Sequence, residues 1–539
     1  ISMSVFQRRK SILTNIQEKG KRAIRRIGEN IGISKSAAGR QMVSQKERLQ
    51  YPESPLWETP EGFNFIIRLY VVTVYTFGMK RGVGMESISE FFYRIHLPHF
   101  GCSPSALRDS RAKLEEKLLE IGQRWEALGI ENAEDLEIIG SPDETFFEEM
   151  ILVLMDLKSG YILLEEAAKK RSFESWKQQI EKRLKGWSLR VLYLVSDRAK
   201  ALIKLGPQWL GCRSIPDLFH ATHELAKGYS LSIQWRLKQA TQRFEKATQA
   251  LSELQAKGSD RREVEWRWQV KEVQEAKQQV EHWATASAIY REEMRQFSLA
   301  VHPFHLLESR PQSFSELYHQ LNGVLERMEK MDLEYQLHRE EYLKRVKNQI
   351  SDIAELPRVW WIWVEASLET YSLDTITQSW LKETLLPLLY WQEQIQKTQS
   401  ADRRLCYQQA FEKAQQQWHR HPLSAKIDQQ TLEKWKQWGL EKVIGFQRTS
   451  SAVEGRNGYL TQMNYNRRGL NQQRLKVMSI IHNFDIYDQK RTTPPQRLFR
   501  REFPDLLETL LGEIQDLPLS RSRKNVHPRN ARKLQPVPV

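Results

Sequence analysis

"LEIIGSPDETFFEEMILVLMDLKSGYILLEEAAKKRSFESWKQQIEKRLKGWSLRVLYLVSD", residues 136–197, is where the fold of this chain is decided. Three apolar runs follow one another closely: "LEIIG", which ends in a turn, then "EEMILVLMDL" and "YILLEEA", joined by Lys158-Ser159-Gly160. Short apolar runs bounded by turn residues read as strands. "SFESWKQQIEKRL" then reads as a capped amphipathic helix and "LRVLYLVSD" as a fourth strand. Val191 to Val195 has no polar alternation, as expected of a central strand covered on both faces. The order is β-β-β-α-β, which predicts an α/β fold.

Asp143 follows the first of these runs and Asp197 the fourth. In an open sheet with parallel central strands, side chains at neighbouring carboxyl ends converge on one crevice. Two aspartates there predict a shared site for Mg²⁺ or Mn²⁺, with two ions expected, because hard cations take oxygen ligands. Taken singly, either aspartate also fits a turn or a helix cap. Glu144, Glu148 and Asp156 are rivals within the site. Asp156 closes the second strand, and Glu144 points away from Asp143 if the first strand continues through it.

A third ligand comes from "SSAVEGRNGYLTQMNYNRRGL", residues 450–470. Read as a helix, it carries Val453, Leu460 and Met463 on an apolar side and Glu454, Asn457 and Thr461 on an adjacent polar stripe. Glu454 then borders the core and faces the crevice. Arg448, Arg456, Arg467 and Arg468 surround it, and guanidinium groups suit phosphate, so these four are expected to hold substrate DNA. The competing reading makes Glu454 a surface carboxylate paired with Arg456 or Arg448.

Between these segments, from about 231 to 445, strand signals nearly vanish. Residues 232–257 and 262–298 read as an antiparallel helical hairpin broken at Gly258-Ser259-Asp260. A tryptophan-rich run, "VWWIWV", occupies 359–364. Trp266, Trp268, Trp360, Trp361 and Trp363 fit a core, the commoner role, or a platform for an unstacked base.

The N-terminal region is helical and basic. In "KRAIRRIGENIGISKSAAGRQMV", residues 21–43, Ala23, Ile24 and Ile27 form an apolar face, Gly32 supplies a turn and Ser34 caps a second helix. Such a helix-turn-helix presents Lys35, Ser36 and Arg40 to a major groove. A basic helical hairpin without base contacts fits the same residues. A second candidate lies at 84–111, with Ser103 and Pro104 starting its second helix. Phe63 to Phe77 is expected to pack these helices together.

Net charge is +15 over 539 residues, and it is unevenly spread. Residues 1–50 carry +9, residues 448–501 carry +8 and residues 520–539 carry +6, leaving −8 for the rest. Local basic segments on an otherwise acidic chain fit a polyanion, since each phosphate contact releases condensed counterions. Three widely spaced cysteines form neither a disulfide framework nor a zinc motif. The apolar run Phe65 to Met79 contains Arg68 and falls short of the roughly 20 residues that span a bilayer. No membrane association is expected, and residues 1–30 lack the apolar core of a secretory signal.

Asp143, Asp197 and Glu454, with a helical insertion before the last, resemble the DDE transposases of bacterial insertion sequences. The phrases "DETFFEEMILVLMDLKSGYILLEE", "SDRAKALIKL", "SIPDLFHATHELAK" and "SSAVEGRNGYLTQMNYNRRGL" are similar, in this order, to one group of them. The resemblance covers roughly residues 130–230 and 446–500. It implies a ribonuclease H-like mixed sheet interrupted by a large all-α insertion and preceded by helix-turn-helix DNA-binding modules. The expected divisions are 1–50, 51–130, 131–230, 231–445, 446–485, and a basic helix with a disordered tail at 486–539. "DLFH" resembles the Asp-x-x-His signature of insertion-bearing groups, which implies that Asp217 and His220 support the active site. A core or cap role for His220 remains open, and His223 is a rival. Another group places Tyr four residues before its glutamate and Lys seven after; Ser450 and Thr461 stand there, so hairpin-ended intermediates are not implied. The implied partners are double-stranded DNA, as terminal repeats and target, and further copies of the chain on paired ends, in the cytoplasm at the nucleoid. Competing functions are a non-catalytic DNA-binding protein and a structure-specific nuclease of the same fold.

Overall fold

A computed structural model describes residues 5–19, 23–48, 59–95, 101–131, 133, 135–257, 264–467 and 470–514. The chain divides into two compact units, Ile1–Ala133 with Gly458–Val539, and Glu134–Asn457. Among the described residues it is mostly helical, with one five-stranded mixed sheet.

The sheet lies in the second unit. Its strands are β1 (Leu136–Phe146), β2 (Met150–Asp156), β3 (Ile162–Ala168), β4 (Leu189–Ser196) and β5 (Arg213–Pro216), in spatial order β3-β2-β1-β4-β5. β1, β2 and β3 pair antiparallel, and β4 and β5 add in parallel. The β2–β3 turn is tight because the Asp156 carboxylate accepts from the backbone N–H groups of Ile139, Lys158 and Ser159 and from the Ser159 hydroxyl. Asp156 is thus a structural residue. β1 runs on through Asp143 instead of ending before it, because pairing with β2 continues to Phe146 opposite Met150. β5 has no counterpart in the sequence reading; four residues ending in proline give too short a pattern to register.

Register decides which side chains share a face. Asp143 stands opposite Val153, and Val153 opposite Glu165. Directly opposed residues project to one side, so Asp143 and Glu165 share a face and Glu144 belongs to the other. On the Glu144 face lies the helix Phe173–Arg183, whose Trp176 indole donates to Glu144 at 3.0 Å. On the parallel side Gly140 pairs with Leu194. Asp143 and Asp197 each lie three residues beyond that pair, Asp143 within β1 and Asp197 directly after β4.

The helical part of this unit begins with Leu218–Ala256 and Val264–Ala300, the expected hairpin, whose turn at 258–260 lies outside the described residues. Its core continues from the sheet: Ile139, Tyr193 and Val195 belong to one apolar cluster with Trp360, Trp363, Trp380 and Trp391. Trp360, Trp361 and Trp363 are therefore core residues, whereas Trp268 is exposed.

In the first unit, helices Val5–Lys19, Ile24–Ile31 and Lys35–Arg48 pack on one another. Gly32 takes the left-handed conformation the turn needs (φ 70°), and the Ser34 hydroxyl accepts from Ala37 N–H at 3.1 Å. Ile27 is buried, but Ala23 and Ile24 are exposed, so the packing face is narrower than expected. Lys35, Ser36 and Arg40 are exposed. A separate core joins the helices Pro60–Thr73, Met85–Arg94 and Pro104–Glu131 to Gln472–Asp485 and Leu506–Gly512. Residues 472–485 therefore depart from the expected 446–485 division: Val477, Ile481 and Phe484 share one apolar core with Leu118, Ile121 and Trp125. The stretch Glu61–Lys80 is the one described helix apolar and long enough to cross a membrane, and it is mostly buried in this core. The tail from 515 lies outside the described residues.

Candidate functional site

The helix Ser451–Arg467 brings Glu454 to the sheet, and the unit boundary falls within it, after Asn457. Val453, Leu460 and Met463 are buried, as their spacing requires. Three sets of contacts fix its first turns within the sheet-containing unit. The Asn457 side-chain amide donates to Asp143 Oδ2 at 2.7 Å. The Arg456 guanidinium donates twice to Glu165, through Nε and Nη2, at 2.7 Å each. At the N-terminus, Ser450 donates to Asp217 Oδ2 through both its backbone N–H, at 3.0 Å, and its hydroxyl.

Asp217 caps the helix Leu218–Ala256, accepting from Phe219 N–H at 2.6 Å. Leu218 N–H donates to Arg448 carbonyl oxygen at 3.0 Å, so the two chain segments run side by side. His220, one turn into the capped helix, places Nε2 3.2 Å from Glu454 Oε1 and 4.0 Å from Asp217 Oδ2. Glu454 therefore pairs with His220 and not with either neighbouring arginine. His223 stacks on Phe219.

Asp197 immediately follows β4 and is exposed, with Oδ1 accepting from Ala199 N–H at 3.0 Å. The next residue, Arg198, has φ 65°, a left-handed conformation that costs a non-glycine residue on the order of 1–3 kcal/mol. Its guanidinium holds Asp352 at 2.6 Å, which ties this turn to the helix Ile350–Glu369.

The electrostatics of Asp143 link the carboxylates. Its pKa is pushed up to about 6, chiefly by burial, with Asp197 and Glu454 adding to the rise; the Glu144 N–H bond and His220 oppose it. Asp143, Asp197, Glu454 and His220 thus form one electrostatic neighbourhood. Among the described residues, the one group of three or more potential metal-binding side chains with ligand atoms all within 4.8 Å of one another is Asp217, His220 and Glu454; the expected set shares only Glu454 with it, and Asp143 and Asp197 lie outside it. Both Asp217 oxygens accept hydrogen bonds, Oδ1 from Phe219 and Oδ2 from Ser450. Asp143, Asp197 and Glu454 are oxygen donors, the ligand type that Mg²⁺ or Mn²⁺ takes.

Two arginines expected to hold DNA have other employment. Arg456 is sealed in its pair with Glu165, both side chains almost wholly buried. Arg448 donates to the carbonyls of Ser298 and Val301 and reaches His302 and Tyr407 inside the insertion. Both guanidinium groups are thus engaged by acceptors within the fold, Arg456 almost wholly buried and Arg448 partly so. Arg468 and the Arg467 side chain lie outside the described residues. Glu165 and Ser450 carry no local signal of their roles; Asn457 does, standing three residues after Glu454 on its stripe.

The model of a family of unknown function (DUF6399) matches residues 381–526. That span includes Glu454 and Asn457 but neither Asp143 nor Asp197. A comparison with curated proteins finds no match.

Proposed function

We propose that this chain is a DNA transposase with a ribonuclease H-like catalytic fold, acting on the ends of a mobile element. What supports the reading is that Asp143 and Asp197 each lie three residues beyond the last β1–β4 pair, Gly140 with Leu194, Asp143 within β1 and Asp197 directly after β4, with Asp197 and Glu454 contributing to the raised pKa of Asp143. Resemblance to DDE transposases of insertion sequences supplies the activity, and the mixed sheet with its helical insertion supports it.

In this reading Asp143, Asp197 and Glu454 hold two divalent ions. Such ions, when bound, lower the pKa of water and stabilise a leaving oxygen in phosphodiester displacement. His220 orients Glu454, Asp217 fixes the segment that carries it, and Asn457 holds the Asp143 carboxylate in one rotamer. Lys35, Ser36 and Arg40 contact the terminal repeats, and electrostatic attraction draws in duplex DNA. Water attacks the phosphorus at the element end, and the P–O3′ bond breaks to leave a 3′-hydroxyl. That hydroxyl then attacks a target phosphodiester: a new P–O bond joins element to target as the target's P–O3′ bond breaks and leaves a target 3′-hydroxyl. The acting form is a homo-oligomer on paired ends, working in the cytoplasm at the nucleoid.

The test is incubation of the full chain with candidate element ends and Mg²⁺ or Mn²⁺, resolving nicked and joined products. Metal-dependent nicking and joining are expected, with Asp197→Asn losing both while still binding ends. Nicking without joining indicates a nuclease; end binding without cleavage indicates a DNA-binding protein that does no chemistry.

A further inference from the structure

We propose that Arg456 and Glu165 are positioning residues for Glu454: their buried ion pair sets the rotation of the helix Ser451–Arg467 over the sheet. The inference rests on the transposase reading and adds to it a part of the site machinery outside the carboxylates.

The argument begins with cost. Moving two charges out of water is expensive, and a well-packed apolar pair of similar size is often as stable or more so. Stability alone therefore gives no reason to keep this pair, with both side chains almost wholly buried. What an apolar pair lacks is direction. Two parallel N–H···O bonds of 2.7 Å fix the plane of the guanidinium as well as its distance from β3.

Helix geometry shows what that direction controls. At about 100° per residue, taking Arg456 as zero, Asn457 lies near 100° and Glu454 near 160°. The three therefore span the lower half of the helix. Arg456 reaches the edge strand β3 on one flank, Asn457 reaches Asp143 on the central strand β1, and Glu454 reaches His220 beyond β5 on the other flank. The Asp217–Ser450 bonds hold the helix start in place from Ser450, the residue before the first helical one. A roll of about 20° moves a carboxylate some 6–7 Å from the axis by roughly 2 Å. Displacements of about 1 Å can already cost on the order of 100-fold in rate.

The experiment uses the full chain with Glu165→Leu/Arg456→Met, which removes both charges together, and with Arg456→Lys, which keeps the charge but loses the two-pronged geometry. Three quantities are read: the unfolding midpoint, Mn²⁺ affinity by electron paramagnetic resonance, and end nicking at saturating Mn²⁺. For the double variant we expect an unchanged or raised midpoint, a 10- to 100-fold loss of Mn²⁺ affinity and at least a tenfold loss of nicking, with end binding retained. For Arg456→Lys we expect smaller losses of the same kind. A folded double variant with wild-type Mn²⁺ affinity and nicking overturns the proposal. Should that variant fail to fold, wild-type values in Arg456→Lys overturn it equally. A wild-type chain that neither binds Mn²⁺ nor nicks overturns the transposase reading itself, an outcome separate from either of these.

Discussion

The two faces of the sheet treat their carboxylates differently. On one face Glu144, next to Asp143 in sequence, is buried and held by the Trp176 indole, with Arg171 at 3.7 Å. On the other, Asp143 is half-buried with one side-chain donor, Asn457, and two further carboxylates raising its pKa. Even on that second face Glu165 is fully matched by Arg456. Folding has matched Glu144 and Glu165 with donors and left Asp143 with two carboxylates, Asp197 and Glu454, that raise its pKa. Uncompensated charge held in place by packing is a recurrent property of functional sites.

The sharpest way to break the contrast is to remove a member of that group. Asp197→Asn is expected to cut metal-dependent nicking on the order of 10³-fold or more, as loss of a central catalytic group does. Glu144→Gln, on the other face, is expected to leave nicking within a few-fold of wild type. Comparable losses in the two variants, measured in one gel assay, would erase the distinction between the faces.

Next in size is the matched acid. Arg456→Ala leaves Glu165 buried without its ion-pair partner, and an uncompensated buried charge costs about 3–5 kcal/mol. A large fall in the urea midpoint is expected, whereas Arg94→Ala, which breaks an exposed pair with Glu90, is expected to change it by less than about 1 kcal/mol.

The repulsion itself has a pH signature. Asp143 has a folded pKa of about 6, above its ordinary value of 3.8. Between those values the folded state binds more protons than the unfolded state, so this carboxyl subtracts stability as pH rises through that window. The deficit is complete above about pH 6 and amounts to at most about 3 kcal/mol. Asp143→Asn is therefore expected to raise the metal-free urea midpoint at pH 7.5 and to lose that advantage by pH 3.5. Equal shifts at both pH values would show that burial and not charge governs the site.

The smallest effect concerns the helix that carries Glu454 over the Asp143 face. Gly455 is exposed, and a Cβ there would meet nothing within 4 Å. Gly455→Ala is expected to stabilise the chain by about 0.5–1 kcal/mol through helix propensity and the unfolded state. A drop in nicking despite that gain would place substrate against this bare helical surface.

Much of the scaffold was legible because it is written in local periodicity. Apolar runs between turn residues located β1 to β4, and the Val453, Leu460 and Met463 spacing located the helix and the stripe bearing Glu454. The Gly32 turn and the Ser34 cap were equally local. Errors arose where a local pattern had more than one tertiary use. Arg448 and Arg456 had the composition of a phosphate site but were consumed by Val301 carbonyl and Glu165. The helix Gln472–Asp485 looked like a continuation of the catalytic domain and joined the core of the other unit.

By itself, then, the sequence determined where strands and helices fall and which residues share a stripe, since alternation and 3.6-residue periods need only near neighbours. Tertiary structure decided which charges are spent and which remain. Glu165 and Arg456 stand 291 residues apart, as do no two positions linked by any local period. The Ser450 grip on Asp217 spans 233 residues. An ion pair or cap of that kind depends on two segments arriving at one point, and only the packed chain brings them there.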